Sequence, residues 1–166
     1  MYKTLTIGGN DYKLEYTIEA SLYADCVKGT AELFSSLALA SDEKDVSKII
    51  AGVSNIPQTT LTVFYAGLME HHGDHPDGDG KVPNIAAAKR LLASYLREHS
   101  GDETGNFYGV LELCIEQMEE DDFFNLTGIG TFLDEVFKSS KTKKKSVNPQ
   151  KKATEKYFGV NFIQKL

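Results

Sequence analysis

Apolar and polar residues alternate along the first part of the chain and then switch to a helical period. Tyr2, Thr4 and Thr6 alternate with Lys3, Leu5 and Ile7. After Gly8-Gly9-Asn10-Asp11, Tyr12, Leu14 and Tyr16 alternate with Lys13 and Glu15. This pattern predicts a β-hairpin with strands over 2–7 and 12–17. The two glycines supply the positive φ values that a tight turn needs. An isolated hairpin is marginal in water, so this one must pack on helices or take strands from another subunit.

From residue 18 the spacing is helical. Ile18, Leu22, Cys26, Thr30, Leu33, Phe34 and Leu37 fit one long helix face, with an interruption expected at Gly29. Ser41 is the expected N-cap of a short helix over 43–51, with Lys44 where a capping box has Glu or Gln. Asn55-Ile56-Pro57 reads as a new helix start, because Pro costs little in a first turn. Leu61, Phe64, Tyr65 and Leu68 then form an apolar stripe, read first as core, and Gly73 is the terminator. Two further helices are expected over 84–98, starting at Asn84, and over 106–120. In the second, Phe107, Val110, Leu111, Cys114, Ile115 and Met118 oppose Glu112, Glu116, Glu119 and Glu120. Phe123, Phe124, Leu126, Ile129, Phe132, Leu133, Val136 and Phe137 fill 121–137, which Gly128 and Gly130 should break into two short helices. The predicted class is α+β, predominantly α-helical, with an N-terminal β-hairpin followed by a compact helical domain.

Charge divides the chain further. Residues 1–137 hold 9 Lys/Arg against 23 Asp/Glu, a charge of −14; residues 138–166 hold 9 Lys against one Glu, a charge of +8. The domain is therefore assigned to 1–137, a basic flexible linker to 138–152 and an apolar C-terminal segment to 153–166. In the last segment Tyr157, Phe158, Val160, Phe162, Ile163 and Leu166 can dock on their own body, on a second copy or on another protein. With 166 residues, one real core is expected without metals or disulfides. Cys26 and Cys114 read as buried thiols of a reducing compartment. The first residues lack the long apolar run of a signal peptide, and no stretch approaches a membrane span.

The chemistry-bearing motifs do not close a site. His71-His72-Gly73-Asp74-His75 lacks the Glu of a His-Glu-x-x-His metal motif. A calcium loop starting at Asp77 would place Lys81 and Ala88 where ligands belong. A surface turn rich in Asp, Gly and Pro is the simpler reading of this segment. His99, near a helix C-terminus, suits capping. Glu116, Glu119, Glu120, Asp121 and Asp122 read as a solvated acidic face or a contact for a basic segment. Gly8-Gly9 lacks the Lys-Ser/Thr of a phosphate loop. Lys141, Lys143, Lys144 and Lys145 have no arginine cluster or nucleic-acid module around them, and the body is acidic, which argues against nucleic acid. No catalytic, cofactor or metal residue is assigned, and the expectation is a nonenzymatic protein.

Three segments carry a family resemblance: YKTLTIGGNDYKLEYTIEA (2–20), IPQTTLTVFYAGLMEHHG (56–73) and FYGVLELCIEQMEEDDFF (107–124). In order and spacing they resemble the tail assembly chaperones of long-tailed bacteriophages and prophages of Gram-positive bacteria, over residues 1–137. The resemblance implies a mostly helical, nonenzymatic protein of the host bacterial cytoplasm, absent from the mature virion. It implies binding to the tape-measure protein, whose apolar surfaces it keeps soluble, and recruitment of major tail-tube subunits. Homo-oligomer formation through the hairpin stays open. The alternative is a structural tail-completion or connector protein. The candidate partner-binding residues are Tyr157, Phe158 and Phe162 in the apolar segment, with Phe123 and Phe124 near the end of the body.

Overall fold

The computed structural model describes residues 1–40, 46–132 and 134–135. The linker, the apolar segment and the Ser41 cap lie outside the described residues. The fold is mostly helical, with an N-terminal two-stranded antiparallel hairpin ahead of the helices.

Strand β1 (Lys3–Ile7) pairs with β2 (Asn10–Leu14), Ile7 opposite Asn10 and Lys3 opposite Leu14. Gly8 and Gly9 have φ of +58° and +74°, the two left-handed residues of a mirror-image turn that matches strand twist. The turn is therefore two residues long, and β2 starts earlier than the spacing suggests. Leu5, Ile7 and Leu14 face the core, whereas Thr4 and Thr6 face out.

Helix α1 (Ile18–Leu22) and α2 (Ala24–Ala40) replace the single long helix expected from residue 18. The break falls at Tyr23, whose ψ of 95° is extended, and not at Gly29, which lies within α2. Tyr23 packs edge-on against Tyr65 with ring centroids 5.5 Å apart. The break also changes the helical phase. Cys26 is buried, but Ile18 and Leu22, expected on the same face, are 56% and 76% exposed.

Helix α3 (Val46–His72) is continuous through Pro57, so Asn55 and Pro57 do not start a helix. A helix interior normally excludes proline because it lacks an N–H and crowds the preceding turn. Here Pro57 lies on the exposed side, and the next turn is pinned elsewhere. Thr60 Oγ1 donates to Ile56 O at 2.7 Å and lies 3.0 Å from Phe107 O. Packing along α2 carries the helix across a local stop signal. Gly73 follows the helix end, as expected.

Helices α4 (Ile85–Glu98) and α5 (Phe107–Glu120) begin where the sequence pattern places them. The Asn84 and Asn106 side chains each accept a backbone N–H three residues on, from Ala87 and Gly109, at 3.0 Å. After α6 (Phe123–Leu126), Gly128 at φ +76° interrupts the chain, and residues 129–132 are helical again, Gly130 included. Helix α3 is the centre of the fold, packed against α1, α2, α4, α5 and β2. Its stripe divides: Phe64 and Leu68 are buried, and Leu61 and Tyr65 pack partly buried on the core.

Candidate functional site

The most elaborated polar region is the joint between the hairpin and the C-terminal half of α3. Gly67 makes the joint possible. A Cβ there would lie 2.6 Å from Leu14 Cδ1 and 2.7 Å from Tyr16 Cζ. Without one, the chain after β2 lies directly on α3, and Glu15 N–H donates to Gly67 O at 2.8 Å. Tyr16 is fully buried, and its hydroxyl donates to Val63 O at 2.9 Å.

His72, at the end of α3, holds the outer edge of β2. It is 4% exposed, and its Nε2 accepts the Lys13 N–H at 2.8 Å. That bond requires an unprotonated Nε2, so Nδ1 carries the hydrogen and donates to Asp79 Oδ2 at 3.0 Å. Burial lowers the His72 pKa below its ordinary value, against the pull of Asp79. For Asp79, burial acts to raise the pKa but is outweighed by hydrogen bonds from the Lys81 ammonium, the Lys81 N–H and His72. The carboxyl is held down at about 2.

The segment after α3 is thus no loose surface turn. Asp79 N–H and Val82 N–H return to His71 O and His72 O at 2.9 and 2.8 Å, and Val82 is buried. His75 Nε2 lies 2.7 Å from Met69 O, and His71 Nε2 lies 2.6 Å from Glu15 Oε2. Each histidine has a structural partner. Between this segment and the outer hairpin face lies a cleft of about 580 Å³, lined by Tyr2, Lys13, His71, Asp77 and Lys81 among others.

A second joint lies at the end of α5. Asp121, expected on a solvated acidic face, has a fully buried side chain. Its Oδ2 accepts Tyr16 N–H at 2.8 Å and the Gln117 amide at 2.9 Å, and Oδ1 lies 2.8 Å from the Met1 ammonium. Glu112, Glu116, Glu119 and Glu120 do face outward, and Glu116 reaches Lys3 at 3.7 Å.

Both cysteines are buried, and burial pushes each thiol up to about 12, far from the range of a nucleophile. Among the described residues, no group of three or more His, Cys, Asp or Glu side chains is arranged to hold a metal ion. Among them, too, no helix is long and apolar enough to cross a membrane.

Phe123 and Phe124 correct the expectation of partner contact. They are 0% and 2% exposed. Phe123 packs edge-on against Tyr16 at 5.7 Å, and Phe124 against Phe34 at 5.6 Å. The tight turn at Asp122, with φ of +58°, directs both inward. Tyr157, Phe158 and Phe162 lie outside the described residues. The apolar side chains that do face solvent include Ile18 and Leu22 on α1, Leu126 at the end of α6 and Phe132 beyond Gly128. The one-turn spacing of Ile18 and Leu22 was the available signal, but it reads equally as core until the break at Tyr23 is known. Comparison with known proteins found no matching family model, curated sequence or solved structure.

Proposed function

We propose that this protein is a nonenzymatic tail assembly chaperone of a long-tailed bacteriophage or prophage. It binds the tape-measure protein, keeps it soluble and helps recruit tail-tube subunits in the host cytoplasm before the mature particle forms. The observation that carries this reading is the three-segment resemblance across residues 2–20, 56–73 and 107–124. The mostly helical body agrees with the mostly helical fold that the resemblance implies.

A tape-measure chain is long and amphipathic, and its apolar stripes need cover until the tube surrounds it. Ile18 and Leu22 offer one apolar strip one helical turn long, and Leu126 and Phe132 add exposed apolar side chains. Small contacts of this kind suit helix-in-groove binding that is weak at each site. Several copies along one tape-measure chain then supply avidity while each remains displaceable by the tube. The acidic body, at −14 over residues 1–137, keeps the loaded complex in solution. In this reading Tyr157, Phe158 and Phe162 add a contact beyond the basic linker.

Coexpression with the neighbouring long tape-measure candidate is the test, with soluble yield and copurification as readouts. Rescue of solubility with a stable complex is the expected result. Absence of both, with both proteins expressed, overturns the chaperone reading and favours a structural tail-completion or connector protein, which would remain in mature tails.

A further inference from the structure

The two edges of the hairpin are treated differently. The two-residue turn makes Ile7 and Asn10 the closing hydrogen-bonded pair, so Leu5–Tyr12 and Lys3–Leu14 carry the other cross-strand bonds. Alternation then turns the backbone N–H and C=O of Asp11 and Lys13 outward from β2, and those of Thr4 and Thr6 outward from β1. On the β2 side, Lys13 N–H is taken by His72, in agreement with this alternation, and Glu15 N–H by Gly67 just beyond the strand. On the β1 side, Thr4 and Thr6 are exposed, and among the described residues none outside the hairpin bonds to their backbone groups.

Exposed strand edges are usually blunted by Pro, a bulge or a central Lys. Strand β1 reads Lys-Thr-Leu-Thr-Ile, with its charge only at one end, where Lys3 already reaches Glu116.

We propose that β1 is a self-association edge, to which a second copy of this chain adds its own β1, antiparallel, across a two-fold axis at Leu5. In this register Thr4 meets the second copy's Thr6, and each such pair exchanges N–H···O=C bonds in both directions. The threonine side chains pair across the strands on the outer face, a favourable cross-strand combination. Leu5 meets its symmetry mate on the core side, and Lys3 faces Ile7, so no like charges meet. One segment supplies both halves of the contact, which is the mark of an isologous interface.

Charge singles out the same region. Two bodies at −14 repel each other over most of their surface. Over residues 1–17 the side-chain charges are Lys3 and Lys13 against Asp11 and Glu15, which balance. The hairpin is therefore a place where two copies approach at low electrostatic cost. This proposal is independent of the chaperone reading.

Sedimentation of the full chain over a wide concentration range tests it, together with amide exchange read residue by residue. The expected result is a monomer–dimer equilibrium, with Thr4 and Thr6 amides gaining protection as concentration rises. Thr4→Lys with Thr6→Lys changes only exposed side chains and brings introduced ammonium groups together across the axis. Thr6→Pro removes an outward N–H that the hairpin does not use. Each should weaken association about ten-fold or more while far-UV circular dichroism stays unchanged. A chain that stays monomeric at every concentration, or a dimer that neither change weakens, overturns the proposal.

Discussion

Two apolar surfaces meet α3, and they end differently. At the hairpin joint, Leu14 and Tyr16 lie against Gly67, with His72, itself braced by Asp79, and Asp121 holding the backbone on either side. At α1, Ala20 alone is buried, while Ile18 and Leu22 remain in solvent. Both regions hold similar apolar side chains. The difference is one of degree. At the joint the N–H groups of Lys13, Glu15 and Tyr16 have acceptors on α3 and at the end of α5, 2.8 Å away in each case. In α1, among the described residues, Glu19 N–H alone reaches α3, at Glu70 Oε2 and 3.3 Å. Stability is thus concentrated at the joint, and surface for contact is left at α1.

The largest break in that contrast comes from the core aromatics. Phe123→Ala should cost about 3–5 kcal/mol in a denaturant melt, because the cavity lies against Tyr16 and Phe124. A surface ring would give almost no loss, so this result separates the core role from partner contact. Next comes Gly67→Ala. Its methyl meets Leu14 and Tyr16, and overpacking of this kind costs about 1–3 kcal/mol. The loss should be accompanied by faster amide exchange at Glu15.

A smaller effect should follow pH. The folded pKa of His72 is lowered, so the folded state binds fewer protons than the unfolded chain. The contribution is complete above the ordinary histidine value of 6.5 and is lost as pH falls below it toward the folded pKa. Melts between pH 8 and pH 5 should show this decline, and His72→Gln should flatten it. The smallest effect on stability belongs to α1. Ile18→Ser with Leu22→Ser should change stability by no more than about 0.5 kcal/mol per site. The same pair should reduce tape-measure copurification under the proposed function. Unchanged copurification removes α1 from the binding surface.

Local signals announced part of this fold. Asn84 and Asn106 cap their helices, the paired glycines turn the hairpin, and Gly73 follows the end of α3. The same kind of signal failed at Asn55-Ile56-Pro57, because packing on α2 continues the helix through an exposed proline. Ile18 and Leu22 fit the periodicity of α2, but Tyr23 shifts the phase between them and Cys26. The site was less readable because its parts are distant in sequence. Gly67 has no special local context, and its role depends on where Leu14 and Tyr16 arrive. Asp121 looks like one more carboxylate in an acidic run until Tyr16 N–H is brought to it. Phe123 and Phe124, close to the end of the assigned domain, look available for contact until the Asp122 turn directs them inward.

The bond from Tyr16 to Asp121 spans 105 residues. During synthesis the hairpin leaves the ribosome before the helices it packs on, and the carboxylate that anchors it is made much later. Lys13 and Glu15 find their acceptors once α3 has formed, but Tyr16 waits for the end of α5. Closing so long a loop is slow compared with forming a hairpin or a helix. For that interval the nascent chain carries a strand pair already shaped but not yet locked, and β1 is open to any neighbouring nascent copy. The hairpin is thus among the first elements to form and among the last to be secured.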